Sequence, residues 1–306
     1  MSARAASGDR QVLSRAALPL LERGDQLLER AFEVVGDASR TVKFLRARAH
    51  FDARPDDVYV ASYPRSGTTW TQLITYMLVS GATDFHFRHL ADVSPWWERS
   101  LARRNDAVAE MRAMASPRVL KSHLPYRWLP RGARYLYVWR EPEDVAVSYY
   151  HLYRRFLAFD GDFETFFDRF VRGDVQYKSW FRHVAGWRAR EGDPRILFIP
   201  YEEMVADPRA WVRRIADFLD IEASDERCDE VARQSDFKAM KAAEEKFDFK
   251  SELLHELDIR DGSFLRQGRV TRGDALSADQ RHTLERARSR RVPLADVEWR
   301  LPSFLH

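Results

Sequence analysis

Apolar positions near the start of the chain, Leu18, Leu21, Leu27, Leu28, Phe32 and Val35, recur at three- and four-residue intervals among charged ones. That spacing predicts one or two helices within residues 1–50. The rhythm then changes. Asp57-Val-Tyr-Val-Ala-Ser62 is a short run of strand formers, Tyr63-Pro-Arg-Ser-Gly67 is rich in turn formers, and the apolar stretch from Trp70 to Val79 has helix length. The reading is strand, glycine turn, helix, with Thr68 or Thr69 as the helix cap. Further strands are expected at 118–122, 134–139 and 195–199, and helices near 143–157, 162–171, 174–190 and 208–220. Alternating strands and helices imply an α/β fold whose parallel sheet is covered on both faces. Residues 243–275 lose periodicity, carry Gly262, Gly268 and Gly273, and are too long for an ordinary connector, so they read as a functional lid or a disordered segment. No repeat or linker divides the chain. One domain over 51–306 behind a helical extension over 1–50 is therefore expected.

Composition narrows the class. The 306 residues are 45% hydrophobic, enough for a sizeable core, and 32% charged, with no stretch near the roughly 18 uncharged apolar residues of a spanning helix. The opening residues lack an apolar run followed by a small-residue cleavage site, and the single Cys228 can neither close an intrachain disulfide nor build a cysteine-rich zinc site. A soluble, cytoplasmic protein without membrane insertion is expected. Net charge is only +3, from 50 basic and 47 acidic residues. With no zinc-finger or RNA-recognition signature, that argues against a nucleic-acid partner. Arg outnumbers Lys by 43 to 7, so a Lys kept inside a motif points to a need for an ammonium. Residues 260–291 hold nine Arg against four acids, which suggests an anionic partner near the lid, or a solvated basic helix at the segment's end.

A strand that delivers a glycine turn onto a helix N-terminus gathers free N–H groups and the positive end of the helix dipole at one point, which suits a phosphate or sulfate. Ser62 to Thr69 has the length of a Walker loop, yet Ser62 stands at its first Gly and Thr68 at its Lys, and the cation comes earlier, at Arg65. A nucleotide triphosphatase needs the Lys after the Gly. A different anion is favoured, with an ordinary structural turn as the alternative.

Six motifs stand in register: Phe51-Asp-Ala-Arg-Pro-Asp-Asp57, Tyr63-Pro-Arg-Ser-Gly-Thr-Thr-Trp70, Lys121-Ser-His-Leu-Pro125, Asp144-Val-Ala-Val-Ser-Tyr-Tyr-His151, Ser179-Trp180 and Phe237-Lys-Ala-Met-Lys241. In order and spacing the chain resembles, over about residues 50–275, the cytosolic sulfotransferases, which move a sulfuryl group from 3′-phosphoadenosine 5′-phosphosulfate (PAPS) to a hydroxyl or amine and release PAP. The resemblance implies a P-loop-like three-layer fold around a central parallel sheet of about five strands. It implies in-line transfer, without a metal, to a small hydrophobic acceptor bearing a phenol or alcohol.

Residue by residue, the resemblance gives Arg65, Ser66, Gly67, Thr68 and Thr69 to the 5′-phosphosulfate and Trp70 to the adenine. It gives Arg140 and Ser148 to the 3′-phosphate, Tyr201, Ser235, Phe237 and Met240 to the adenine pocket, and Arg266, Gln267 and Gly268 to a loop closing over the 3′-phosphate. Lys121 and His123, two apart near a strand end, share one face. A neutral imidazole can take the proton of an attacking hydroxyl, which makes His123 the candidate general base, with Lys121 and Arg65 stabilising charge on the transferring group. Trp96, Leu152 and Tyr177 correspond to acceptor-pocket positions, although a Trp96-Trp97 pair also suits lid packing. Asp144, Tyr149 and Tyr150 are expected to be structural.

The chain departs from the family at Arg65 and Gln267, where Lys is usual, and after Gly268, where two extra residues precede Gly273-Asp274 and a Trp is absent. A guanidinium can neutralise a phosphate leaving group, though it is a poor acid, so the change at 65 is chemically tolerable. Arg269 and Arg272 are candidates to restore the cation lost at 267. The Lys-Thr-Val-Glu dimer pattern of animal members is missing beyond 275, and the oligomeric state stays open. Two rivals remain: a degenerate protein that holds PAP without turnover, and a P-loop kinase, which the missing post-glycine Lys disfavours.

Overall fold

The computed structural model describes residues 36, 38–248, 264–266, 268, 270–271 and 273–289. The helices expected before residue 36, most of the 243–275 segment, Gln267, Arg269 and Arg272 lie outside these residues. Helix α1 (38–49) precedes β1 (Val58–Ser62), α2 (Thr68–Ser80), the short helices α3 (Leu90–Val93), α4 (Trp97–Arg103) and α5 (Ala107–Ala113), and β2 (Val119–Ser122). Then come β3 (Arg134–Trp139), α6 (Pro142–Phe156), α7 (Phe163–Arg172), α8 (Trp180–Arg188), β4 (Ile196–Pro200), α9 (Tyr201–Ala206), α10 (Pro208–Phe218), α11 (Asp225–Gln234), α12 (Phe237–Ala242) and α13 (Ala278–Ser289).

The strands form one parallel sheet in the order β2-β1-β3-β4, with Val58 beside both Val119 and Arg134, and Tyr135 beside Ile196. Among the described residues it has four strands, not five. Beside β2 the segment before α4 makes only an isolated parallel bridge, Trp96 to Lys121, with Lys121 N–H donating to the Pro95 carbonyl at 2.9 Å, and does not continue as a fifth strand.

All residues of β1 and β2 are buried, so the alternation of side chains sorts residues between two cores instead of between core and water. Tyr59, Ala61, Leu120, Tyr135 and Tyr137 face an aromatic core with Trp97, Tyr149, Phe166 and Trp187. Val58, Val60, Val119, Leu136 and Val138 face a second core with Leu73, Met77, Trp211 and Ile215. Helices therefore cover both faces, in three layers. Because β1 lies between β2 and β3, the strand order reverses at its carboxyl end, where open α/β sheets place their ligands.

Two local expectations change. Gly67 is the N-cap of α2 and no side chain caps it; Thr68 and Thr69 lie within the first turn, so the helix start is left to another partner. Helix α8 begins at Trp180 and not near 174, because Tyr177 and Lys178 take left-handed φ values of 62° and 59° and Ser179 caps the helix through the N–H of Arg182.

Candidate active site

The turn between β1 and α2 has left-handed backbone at Arg65 (φ 68°) and Gly67 (φ 99°). Such a turn gathers N–H groups into an anion-binding concavity. Space as well as conformation demands glycine at 67: a Cβ there would stand 2.6 Å from Cδ2 of Tyr201. Gly67→Ala is expected to cost about 1–2 kcal/mol from the left-handed backbone alone and to displace the Tyr201 ring. Thermal unfolding reads this, and an unchanged Tm refutes the steric account. Beside the glycine, the Ser66 hydroxyl is buried and has no partner among the described residues. An orphaned polar group of this kind costs about 1–3 kcal/mol.

The carboxyl end of β2 supplies Lys121 and His123. Nδ1 of His123 lies 2.9 Å from the Ser62 carbonyl oxygen, so Nδ1–H donates to it and Nε2 carries the free lone pair. Burial, then the neighbouring Lys121 ammonium, holds the imidazole well below its usual range, and it is neutral at physiological pH. Nζ of Lys121 sits 4.1 Å from the centroid of the Trp96 ring.

Behind them His183 donates from Nε2 to the carbonyl oxygen of His123 (3.1 Å) and accepts at Nδ1 from the Tyr137 hydroxyl (3.1 Å). Burial pushes its pKa down to about 4, against an unfolded value of about 6.5. Below pH about 6.5 the unfolded chain takes up a proton that the fold refuses, so stability should be lost as pH falls towards about 4, by up to about 3 kcal/mol from this residue. His183→Gln should melt with a shallower pH dependence across that window; an identical slope removes His183 as the cause.

From β3 and α6 come Arg140 and Ser148. Arg140 lies 4.4 Å over the Tyr201 ring, donates from Nη2 to Asp144 (3.1 Å) and from Nη1 to the carbonyl of Arg65 (3.4 Å). Arg65 Nε donates to Ser148 Oγ (3.0 Å), and its guanidinium lies 5.0 Å from the Phe264 ring centroid. Burial, then Arg140 and Arg266, lowers the pKa of Arg65 to about 10, which leaves it cationic at neutral pH.

Arg65, Lys121, His123, Arg140 and Ser148 open on one cavity of about 330 Å3. Its lining includes Arg65, Gly67, Thr68, Thr69, Trp70, Trp96, Lys121, His123, Arg140, Ser148, Leu152, Tyr177, Tyr201, Ser235, Phe237, Met240, Arg266 and Gly268. Of the residues expected from the sequence, Ser66 does not line the cavity and Gln267 is outside the described residues. The Ser235 hydroxyl is committed to the Val231 carbonyl at 2.7 Å. Trp96 and Trp97 part ways: the first lines the cavity, the second packs edge-on against Phe44, Phe51 and Tyr59. Four cations (Arg65, Lys121, Arg140, Arg266) line the cavity, whereas Asp236, its one described acid, caps α12 through the N–H of Ala239. The cavity is built for anions.

Asp144, expected to be structural, ties the cleft together. It accepts from Arg140, from Thr271 N–H (3.0 Å) and hydroxyl (2.6 Å), and from Gly273 N–H (2.8 Å). Burial pushes its carboxyl up, but these donors outweigh burial and hold it below its usual range. Sequence reasoning missed Phe264, Gln176 and Glu98. Phe264 and Gln176 carried no motif; Glu98 sat in the Pro95-Trp-Trp-Glu98 stretch without a partner to make it legible.

Comparison with known proteins agrees with this geometry. A family model described as a sulfotransferase domain matches residues 55–287. The chain is 36% identical to rabbit (Oryctolagus cuniculus) sulfotransferase 1C2 over 200 residues, 62% of this chain and 68% of that one. It is 32% identical to the amine sulfotransferase of the same animal over 242 residues, 75% and 78% of the two chains. Mouse sulfotransferase SULT7A1, solved with PAP, superposes with a TM-score of 0.66 at 26% identity, covering 82% of this chain and 88% of its own. Retinol dehydratase in complex with androsterone and PAP superposes at 0.68 with 23% identity, over 80% and 84%, a likeness of fold. With the domain matched over most of its length and these relatives beside it, the chain belongs to the cytosolic-type sulfotransferase family.

Proposed function

We propose that the cleft transfers a sulfuryl group from PAPS to the hydroxyl of a small apolar phenol or alcohol, with His123 as general base. The observation that carries this reading is a neutral imidazole, its Nε2 lone pair free, in one cavity with an uncapped, cation-flanked helix N-terminus. PAPS supplies the activated sulfuryl group and a phosphate leaving group. The N–H groups opening α2 and the hydroxyls of Thr68 and Thr69, which line the cavity, fit its 5′ end. Arg140, Ser148 and Arg266 fit the 3′-phosphate, since a forked guanidinium pairs with phosphate oxygens in two bonds. Trp70, Tyr201, Phe237 and Met240 offer an apolar slot for the adenine, with the Trp70 and Tyr201 rings edge to face at 6.2 Å.

His123 takes the acceptor proton as the hydroxyl attacks, and Lys121 and Arg65 bear the charge that gathers on the transferring group and the leaving oxygen. Trp96, Leu152 and Tyr177 give the acceptor an apolar wall. The four lining cations favour a neutral hydroxyl over a protonated amine. The lone, buried Cys228 suits a reducing compartment, so the reading includes a cytoplasmic location. Among the described residues no helix is long and apolar enough to cross a membrane.

Incubation with PAPS and a panel of phenols, alcohols and aryl amines, followed by mass spectrometry, tests the reading. Sulfated phenol or alcohol in amounts matching the PAP released is expected. Tight PAP binding with no sulfated product from any acceptor would replace it with a PAP-binding protein that does not turn over.

A further inference from the structure

Glu98, at the second position of α4, is wholly buried and does not line the cavity. Its Oε1 accepts from the backbone N–H of His123 (2.8 Å), from the indole N–H of Trp96 (2.6 Å) and, at 3.4 Å, from the hydroxyl of Tyr177. Those donors sit on three separate segments: the end of β2, the N-cap of α4, and the strained turn before α8, where Tyr177 has φ 62°. Their rings meet one another on the cavity side. Trp96 and His123 stand edge to face at 5.0 Å, His123 and Tyr177 at 5.3 Å, and Trp96 and Tyr177 are near parallel at 6.4 Å. One buried oxygen thus gathers an imidazole and two aromatic walls.

We infer that Glu98 is the positioning residue that fixes the acceptor wall of Trp96 and Tyr177 in register with the imidazole of His123. The inference rests on the proposed sulfuryl transfer, and it deepens that reading by naming what holds the attacking hydroxyl's surroundings in place. A near-attack geometry is sensitive to about 1 Å, which can cost about 10²-fold in rate. Three separate chain segments need a common anchor to hold their side chains to such tolerance, and a left-handed Tyr177 needs its surroundings to over-determine it. The role requires an acceptor oxygen, not a charge. Burial raises the Glu98 carboxyl, against the bonds from His123 and Trp96, and among the described residues Oε2 has no partner. An amide should therefore serve.

The test compares wild type, Glu98→Gln, Glu98→Leu and Tyr177→Phe, with 2-naphthol and PAPS as substrates, calorimetry for PAP, and Tm. Glu98→Leu should raise the 2-naphthol KM about tenfold and lower kcat about tenfold, with PAP affinity unchanged within about twofold. Glu98→Gln should stay within about threefold of wild type on both. Tyr177→Phe, which keeps the ring and loses the donor, should raise KM about threefold. Unchanged KM and kcat in a folded Glu98→Leu overturns the inference. So does parallel loss of PAP affinity, Tm and activity in Glu98→Gln, which would make the residue a general strut. If Glu98→Leu does not fold, the Gln and Phe variants decide: near-wild-type kinetics in Glu98→Gln together with a raised KM in Tyr177→Phe supports the shared oxygen, and an unchanged KM in Tyr177→Phe overturns it. Failure of the wild type to sulfate any acceptor defeats the sulfuryl-transfer reading separately, and the same order of variants is then expected in 2-naphthol binding to the PAP complex.

Discussion

His123→Ala is expected to lower kcat by about 10² to 10⁴ while leaving PAP affinity within about twofold of wild type. The split follows from geometry. His123 holds itself by donating Nδ1–H to the Ser62 carbonyl, at the end of β1, and it contributes no atom to the turn at 63–67. A methyl at that position removes the proton acceptor and leaves the anion-binding loop intact. The pH profile gives a second, independent reading. Burial and then Lys121 hold the imidazole well below 6.5, so in the free enzyme it is already the base form at neutral pH. No acid limb in kcat/KM should be assignable to His123 between pH 6.5 and 8, and the fall should come below that range as the imidazole protonates. An anionic donor beside Lys121 and Arg65 offsets the cationic part of the depression, so the limb in kcat should lie nearer 6.5 than the limb in kcat/KM. A variant with wild-type kcat, or an acid limb above 6.5 that His123→Ala abolishes, would overturn the assignment of base or of its environment.

How far such a site can be read from sequence depends on how local its determinants are. The β1–turn–α2 unit was legible because each part of its signal lies within about twenty residues: a run of strand formers, a glycine where the turn takes left-handed backbone, and a mostly apolar run of helix length. Lys121 and His123 were legible for the same reason, as two polar side chains on one face of a short strand. Residues whose role comes from distant partners were not. Glu98 meets His123 across 25 positions, and Asp144 meets Thr271 across 127. Tyr177 and Lys178 adopt left-handed backbone without the Gly or Asn that announces it, so the helical spacing from 174 onward misplaced the start of α8. The expected Thr cap moved inside α2 because Gly67, in left-handed backbone, takes the cap position and leaves the first N–H groups without a side-chain partner. The fifth strand came with the resemblance and from no run of residues in this chain.

Arg118→Met is expected to destabilise the protein by about 3–5 kcal/mol, the largest stability loss foreseen from one substitution, because it strands a buried carboxylate. Arg118 and Asp57 are 1% and 0% exposed and pair in two bonds of 2.6 Å. The guanidinium also donates to the carbonyls of Met111 (3.1 Å) and Asp52 (2.8 Å) and lies 4.8 Å from the Phe51 ring centroid, while the Asp57 carboxylate takes the N–H of Arg54 (2.8 Å). The 51–57 motif thus has a structural meaning: it wraps one ion pair. That pair sits where three strands begin, since Val58 N–H donates to Arg118 O and Arg134 N–H to Asp57 O, both at 2.9 Å. It lies at the opposite end of β1 from the anion loop. Denaturant unfolding of Arg118→Met should therefore show the loss, while the fraction that stays folded keeps wild-type PAP affinity. The double variant Asp57→Leu, Arg118→Met removes both charges and should recover a large part of the stability, because an apolar pair leaves nothing buried and unpaired. If the double variant is as unstable as the single one, the loss belongs to the backbone bonds that Arg118 makes to 52 and 111, and the ion pair is only their consequence.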